Sequence, residues 1–240
     1  LLLIRIQKTN DKVILTNKQN LKILQMRKTN TFWNWFQDNN KTIQNIANET
    51  PKNQKHISFW IDKHLKFYCK ELDFILVFSK IKTTKSEMII TANGNPDYFH
   101  QVIHLVDNAP QLKNWKFTAF IQPTSEIYKI SIGLDDPYIF QDITLKASEL
   151  KFTPLDYEEE KSKVDLIIYL KNYALHCDNK TLQQAIFIVI QDLLGEKSLF
   201  QNINLVQLAQ MPDNDNGLIH LYELQFYIDE INAFKKNIIP

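Results

Sequence analysis

The chain has 240 residues, 44 % of them hydrophobic and 23 % charged, with 28 Lys and Arg against 27 Asp and Glu for a net charge of +1. That much apolar material can build a sizeable core, in one large domain or two small ones, and the balanced charge argues against a strongly basic nucleic-acid binder. The isolated glycines Gly94, Gly133, Gly195 and Gly217 exclude G-x-G-x-x-G and Walker loops, Cys69 and Cys177 are too far apart for a cysteine-rich zinc module, and no apolar run approaches the roughly 18 residues that a membrane helix needs.

Residues 1–25 mix Lys, Asn and Gln with aliphatics and lack clear turn chemistry. They read as an extension, disordered or not native, with translation starting at Met26. The competing reading is a hairpin of residues 2–7 with 13–16 through Asn10-Asp11. Asn30 or Thr31 then caps a first helix whose buried stripe is Phe32, Trp35, Phe36, Asn39, Ile43 and Ile46, at spacings of three and four. Trp33 falls off that stripe and is a candidate exposed contact aromatic, with burial as the alternative. Pro51 ends the helix, and a second one carries Ile57, Trp60, Ile61, His64, Leu65, Tyr68 and Leu72 on one face. The two helices are expected to form a hairpin.

Residues 73–79 and 87–92 read as an antiparallel β-hairpin around the connection 80–85. The second strand opens a βαβ-like unit over 87–120. Its elements are an Asn93-Gly94 turn, Asn95 as N-cap, Pro96 at the first helical position, an apolar stripe of Phe99, Val102, Ile103 and Val106, a stop at Pro110, and an alternating strand at 115–120. Residues 127–132 fit a strand or a short helix. Residues 143–155 and 164–170 predict two long antiparallel strands around a polar tip at 156–163. Asp178 or Asn179 caps a helix over 180–194, apolar on all sides from Ala185 to Ile190 and closed by Gly195 as a left-handed C-cap. A strand at 203–208, a turn at 212–217, and a helix carrying Leu221, Leu224, Ile228 and Ile231 follow. The pattern predicts a single α+β domain over 26–240, with a mixed or mainly antiparallel sheet covered by helices.

Charge is unevenly distributed: residues 1–132 carry +9 and residues 133–240 carry −8. With two cysteines and no secretory signal, reduced thiols in a cytoplasmic protein are expected.

Three pieces, Phe32-Trp33-Asn34-Trp35-Phe36, the block from Ile89-Ile90-Thr91-Ala92-Asn93-Gly94-Asn95 to Trp115-Lys116-Phe117-Thr118-Ala119-Phe120, and Leu193-Leu194-Gly195-Glu196, resemble an uncharacterised family of bacterial cytoplasmic proteins. The resemblance runs from Met26 to about Phe234 and includes the helix end Asn108-Ala109-Pro110. It implies an aromatic opening helix, a strand-helix-strand block and a start near Met26. It brings no activity, substrate or catalytic residue.

Candidate chemistry is sparse. His100 and His104, four apart on one helix, have the spacing of a metal pair but lack a third ligand and the H-E-x-x-H base, so two surface histidines are expected and no metal is assigned. His64 reads as a core-edge imidazole, with a Cys/His arrangement with Cys69 or Cys177 as the catalytic alternative. The acidic run Asp156, Glu158, Glu159 and Glu160 reads as a solvated tip. Lys63, Lys66 and Lys70 read as a solvated helix face. Glu196 is a binding candidate whose plainer role is to hold a backbone group. The reading is of a non-catalytic cytoplasmic binding or interaction protein without cofactor, whose partner is another protein rather than a nucleic acid or a membrane. The alternative is a hydrolase-like enzyme with a site assembled from distant residues.

Overall fold

The computed structural model describes residues 2–78, 85–155, 163–176 and 179–238. The chain divides into two compact units, Leu1–Asn93 with Asp97–Ala119, and Gly94–Pro96 with Phe120–Pro240. The class is α+β, as the sequence predicts. Where the sequence suggests one domain around one sheet, the strands fall into three small sheets and each unit has its own apolar core.

In the first unit, α1 spans Leu2–Gln44, a 3-10 turn spans Ile46–Asn48, and α2 spans Pro51–Tyr68. Both segments of the alternative N-terminal hairpin lie inside α1, and so do Asn30 and Thr31, which therefore do not cap it. The physical reason is that no glycine or proline interrupts the chain before Pro51. The threonines find partners without breaking the helix: Thr29 Oγ1 donates to the Gln25 carbonyl at 2.9 Å and Thr31 Oγ1 to that of Arg27 at 2.8 Å. Pro51 starts α2 at its first helical position, where a missing N–H costs nothing, and Thr50 is the N-cap. Ile61, Leu65 and Tyr68 are buried on the predicted face of α2.

The strands β1 (Asp73–Val77) and β2 (Ser86–Thr91) pair antiparallel, and β2 pairs parallel with β3 (Trp115–Ala119). The crossover is α3, Phe99–Asp107, so the predicted βαβ unit is present. Its entry differs from expectation. A 3-10 turn at Pro96–Tyr98 intervenes, so Tyr98 rather than Asn95 is the N-cap of α3. Phe99, Val102 and Leu105 are its buried residues, while Ile103 faces outward.

Trp33 is buried at 3 % exposure, which removes it as an exposed contact aromatic. With Phe32 and Phe36 it forms an edge-to-face aromatic cluster against β3: Trp33 to Phe117 at 4.6 Å, Phe36 to Trp115 at 5.0 Å and Phe36 to Phe117 at 5.2 Å. Burial of an indole requires a partner for its N–H, and Nε1 donates to the Leu105 carbonyl at 2.8 Å. That carbonyl is in the last turn of α3, where no helical N–H remains to bond it. Asn108 Nδ2 does the same for the His104 carbonyl, also at 2.8 Å.

The second unit contains α4 (Ile127–Ser131), β4 (Tyr138–Phe140), β5 (Ile143–Leu145), β6 (Lys151–Pro154), β7 (Val164–Leu170), α5 (Tyr173–His176), α6 (Lys180–Asn202), β8 (Ile203–Gln210), β9 (Ile219–His220) and α7 (Leu224–Ile238). The predicted strand at 143–155 is broken by a 3-10 turn at Ala147–Glu149, which sends β5 to pair with β4 and β6 to pair with β7. The larger sheet has the order β8-β7-β6-β9, with β7 and β8 parallel. Asn179 is the N-cap of α6, accepting from the Thr181 N–H at 2.9 Å. Leu182, Ala185, Ile186, Val189, Ile190 and Leu193 of α6 join Phe152, Leu166, Ile168 and Leu224 in one core. Phe187 and Ile188 are about two-fifths exposed, so this helix is one-sided rather than buried all round.

Gly195 is not a left-handed cap. It sits inside α6 at φ 73° and ψ 159°, a region open essentially to glycine alone, and the helix continues beyond it to Asn202. A Cβ there would also meet Pro123 Cδ at 2.8 Å and the Ile121 carbonyl at 3.0 Å.

Replacing Trp33 by Phe leaves the Leu105 carbonyl buried without its indole donor. The expected loss is about 1–3 kcal/mol, seen as a lower urea midpoint at unchanged slope. An unmoved midpoint would show that this bond does not support the fold.

Candidate functional site

A cleft of about 390 Å³ lies between α1 and α2, lined by Trp35, Asn39, Thr42 and Ile43 from the first helix and His56, Ile57, Trp60 and His64 from the second. Each set follows the three-and-four spacing that puts side chains on one helical face. The Trp35 and His64 rings lie parallel, 4.2 Å between centroids with an interplanar angle of 12°. Trp60 lies 6.1 Å from His64 at a 36° tilt. Its Nε1 donates to His56 Nε2 at 3.1 Å, which leaves the His56 ring proton on Nδ1. Outside the rings, Lys63 Nζ stands 4.5 Å from the centroid of Trp60 and 6.0 Å from that of Phe59.

Desolvation at the cleft, with the Lys63 ammonium adding to it, lowers the His64 pKa below its usual 6.5. The neutral ring therefore predominates at neutral pH. The cleft's lining contains imidazole, indole, amide and one hydroxyl, that of Thr42, and no carboxylate or thiol. Cys69 is the C-cap of α2 and does not line the cleft, and Cys177 lies outside the described residues.

The sequence candidates are dispersed. His100 is exposed, with Nε2 3.0 Å from Gln101 Nε2, whereas His104 is half-buried and its own Nε2 is buried without a hydrogen-bond partner. Among the described residues no three of His, Cys, Asp and Glu gather as a metal site would require. Lys63 lies against the aromatic rings, Lys66 Nζ donates to the Leu72 carbonyl at 2.6 Å, and Lys70 is exposed. The acidic run at 156–160 lies outside the described residues. Among the described residues no helix is long and apolar enough to cross a membrane.

Glu196 is fully buried. Its Oε1 accepts from the Gly94 N–H at 3.0 Å and its Oε2 from the Ile121 N–H at 3.3 Å, while its own N–H donates to the Ile121 carbonyl at 2.8 Å. The side chain thus meets backbone, the plainer of the two roles predicted for it. Asn93 and Gly94 both have positive φ, 51° and 76°, as an Asn-Gly turn of type I′ requires. A Cβ on Gly94 would overlap the Phe200 ring.

The residue that sequence reading missed is His56. Trp35, Trp60 and His64 were visible as parts of apolar stripes, but stripes on two helices do not reveal which positions face each other across a gap.

Two outcomes follow from these geometries. Glu196→Gln replaces one carboxylate oxygen by a donor facing a backbone N–H, and is expected to cost about 2 kcal/mol in denaturant unfolding. Since the folded state resists His64 protonation, stability is full above the ordinary imidazole value of 6.5 and falls as acid protonates the unfolded chain first. An NMR titration should place His64 below that value, and in His64→Gln the pH dependence over this window should flatten.

No family model matches the chain, and no match is found among curated proteins or solved structures.

Proposed function

We propose that this is a non-catalytic binding protein whose α1–α2 cleft receives a planar aromatic side chain from a partner protein. The supporting observation is the parallel Trp35–His64 stack with Trp60 beside it, opening on about 390 Å³. Two indoles and an imidazole kept neutral by burial offer flat, polarizable faces, and each ring pair of this kind is worth about 1 kcal/mol beyond its area. Asn39, Thr42 and the His56 imidazole set polar atoms at the margin, which fixes orientation rather than supplying bulk affinity. The Lys63 ammonium on the outer side of Trp60 disfavours a cationic guest. Hydrolysis would need a nucleophile beside a base and an orienting acid, and the lining residues supply the base alone.

The test is saturation-transfer NMR with N-acetyltryptophanamide as probe and N-acetylleucinamide as control. Transfer to the indole probe, weakened about tenfold in affinity by Trp60→Ala, supports the reading. Equal transfer to both probes, or binding indifferent to Trp60, overturns it.

A further inference from the structure

We infer that β8 is a self-pairing edge, the strand through which two copies of this chain join across a two-fold axis. The inference does not rest on the α1–α2 cleft. β8 is the longest strand among the described residues, at eight, and it lies at the edge of its sheet, with β7 on one side and nothing paired on the other. An open edge of this kind is a template for another strand, so soluble proteins shorten it, charge it or cover it. The remaining edges obey that rule. β9 has two residues, β4 and β5 have three each, β1 begins with Asp73, and β3 carries Lys116. β8, Ile203-Asn204-Leu205-Val206-Gln207-Leu208-Ala209-Gln210, has no charge and no proline.

Its order of residues says what the missing neighbour is. Val206 and Leu208 pack toward the core under α6, while Leu205 and Gln207 face out, Leu205 at 44 % exposure. An antiparallel copy must keep core-side residues opposite core-side residues, so only registers that pair even with even positions are open. Centring the axis on Gln207 sets Val206 opposite the second copy's Leu208, Leu205 opposite its Ala209, Asn204 opposite its Gln210, and Gln207 opposite Gln207. Every pair then matches apolar with apolar or amide with amide, because the strand reads polar, apolar, apolar, polar, apolar, apolar, polar about its middle. No like charges meet at the axis, the usual barrier to self-pairing. On the core side, a cavity of about 520 Å³ lies between α6 and β8, lined by Leu182, Ile186, Phe187 and Ile190 with Val206 and Leu208. The apolar pair brought by a second copy reaches the mouth of that cavity.

The experiment is sedimentation velocity of the full chain over a dilution series, for wild type, Gln207→Lys and Gln207→Glu. Gln207 is exposed, so neither substitution removes core packing, and circular dichroism melting confirms that each variant is folded. Wild type is expected to be a dimer, and each variant alone a monomer, with dissociation raised about 100-fold by like charges at the axis. Equimolar Lys and Glu variants mixed together are expected to recover the dimer. A monomeric wild type, a dimer indifferent to both charges, or a mixture that stays monomeric would each overturn the inference.

Discussion

Glu196 places a carboxylate where no solvent reaches it, and the second unit is organised around how that group is compensated. A buried charge without donors is prohibitively costly. Here both oxygens accept backbone N–H groups, from Gly94 and Ile121. Neither of those segments is close to Glu196 in sequence, so one side chain fixes two distant pieces of main chain. The neighbouring glycine makes this possible. At φ 73° and ψ 159°, Gly195 turns the backbone within α6 so that the Glu196 N–H meets the Ile121 carbonyl. No residue with a Cβ would tolerate either that conformation or the approach of Pro123.

The same accounting of backbone groups explains the aromatic core of the first unit. The last turn of α3 leaves carbonyls that no helical N–H can reach, and the Trp33 indole and the Asn108 amide supply the missing donors. Trp33 is thereby held at one angle, with Phe36, Trp115 and Phe117 packed edge to face around it. Hydrogen bonding selects the ring's orientation, and the aromatic contacts fill the volume.

Two surfaces remain open for different reasons. The α1–α2 cleft is concave and ring-lined, with Trp60 held by His56 and Trp35 stacked on His64, so its shape is set before anything enters. Preorganisation of that sort favours a flat guest over a flexible one. The β8 edge is linear and uncharged, and offers main-chain groups in place of a pocket. The first recognises a side chain and the second a strand.

Local chemistry determined a good deal from the sequence alone: the α+β class, the β1–β2 hairpin, the βαβ crossover, the Asn179 cap and the buried face of α2. Each is a matter of spacing and turn residues within about twenty positions. The candidate site was legible only in fragments, since Trp35 and His64 are 29 positions apart and their stacking depends on how two helices pack. Tertiary structure also decided the fate of Trp33, because its off-stripe position is buried only by the strand laid against it and the carbonyl it finds on α3. It decided Gly195 as well. A glycine after an apolar run reads as a helix end, and only the bond from Glu196 to Ile121 shows why the helix kinks there and goes on.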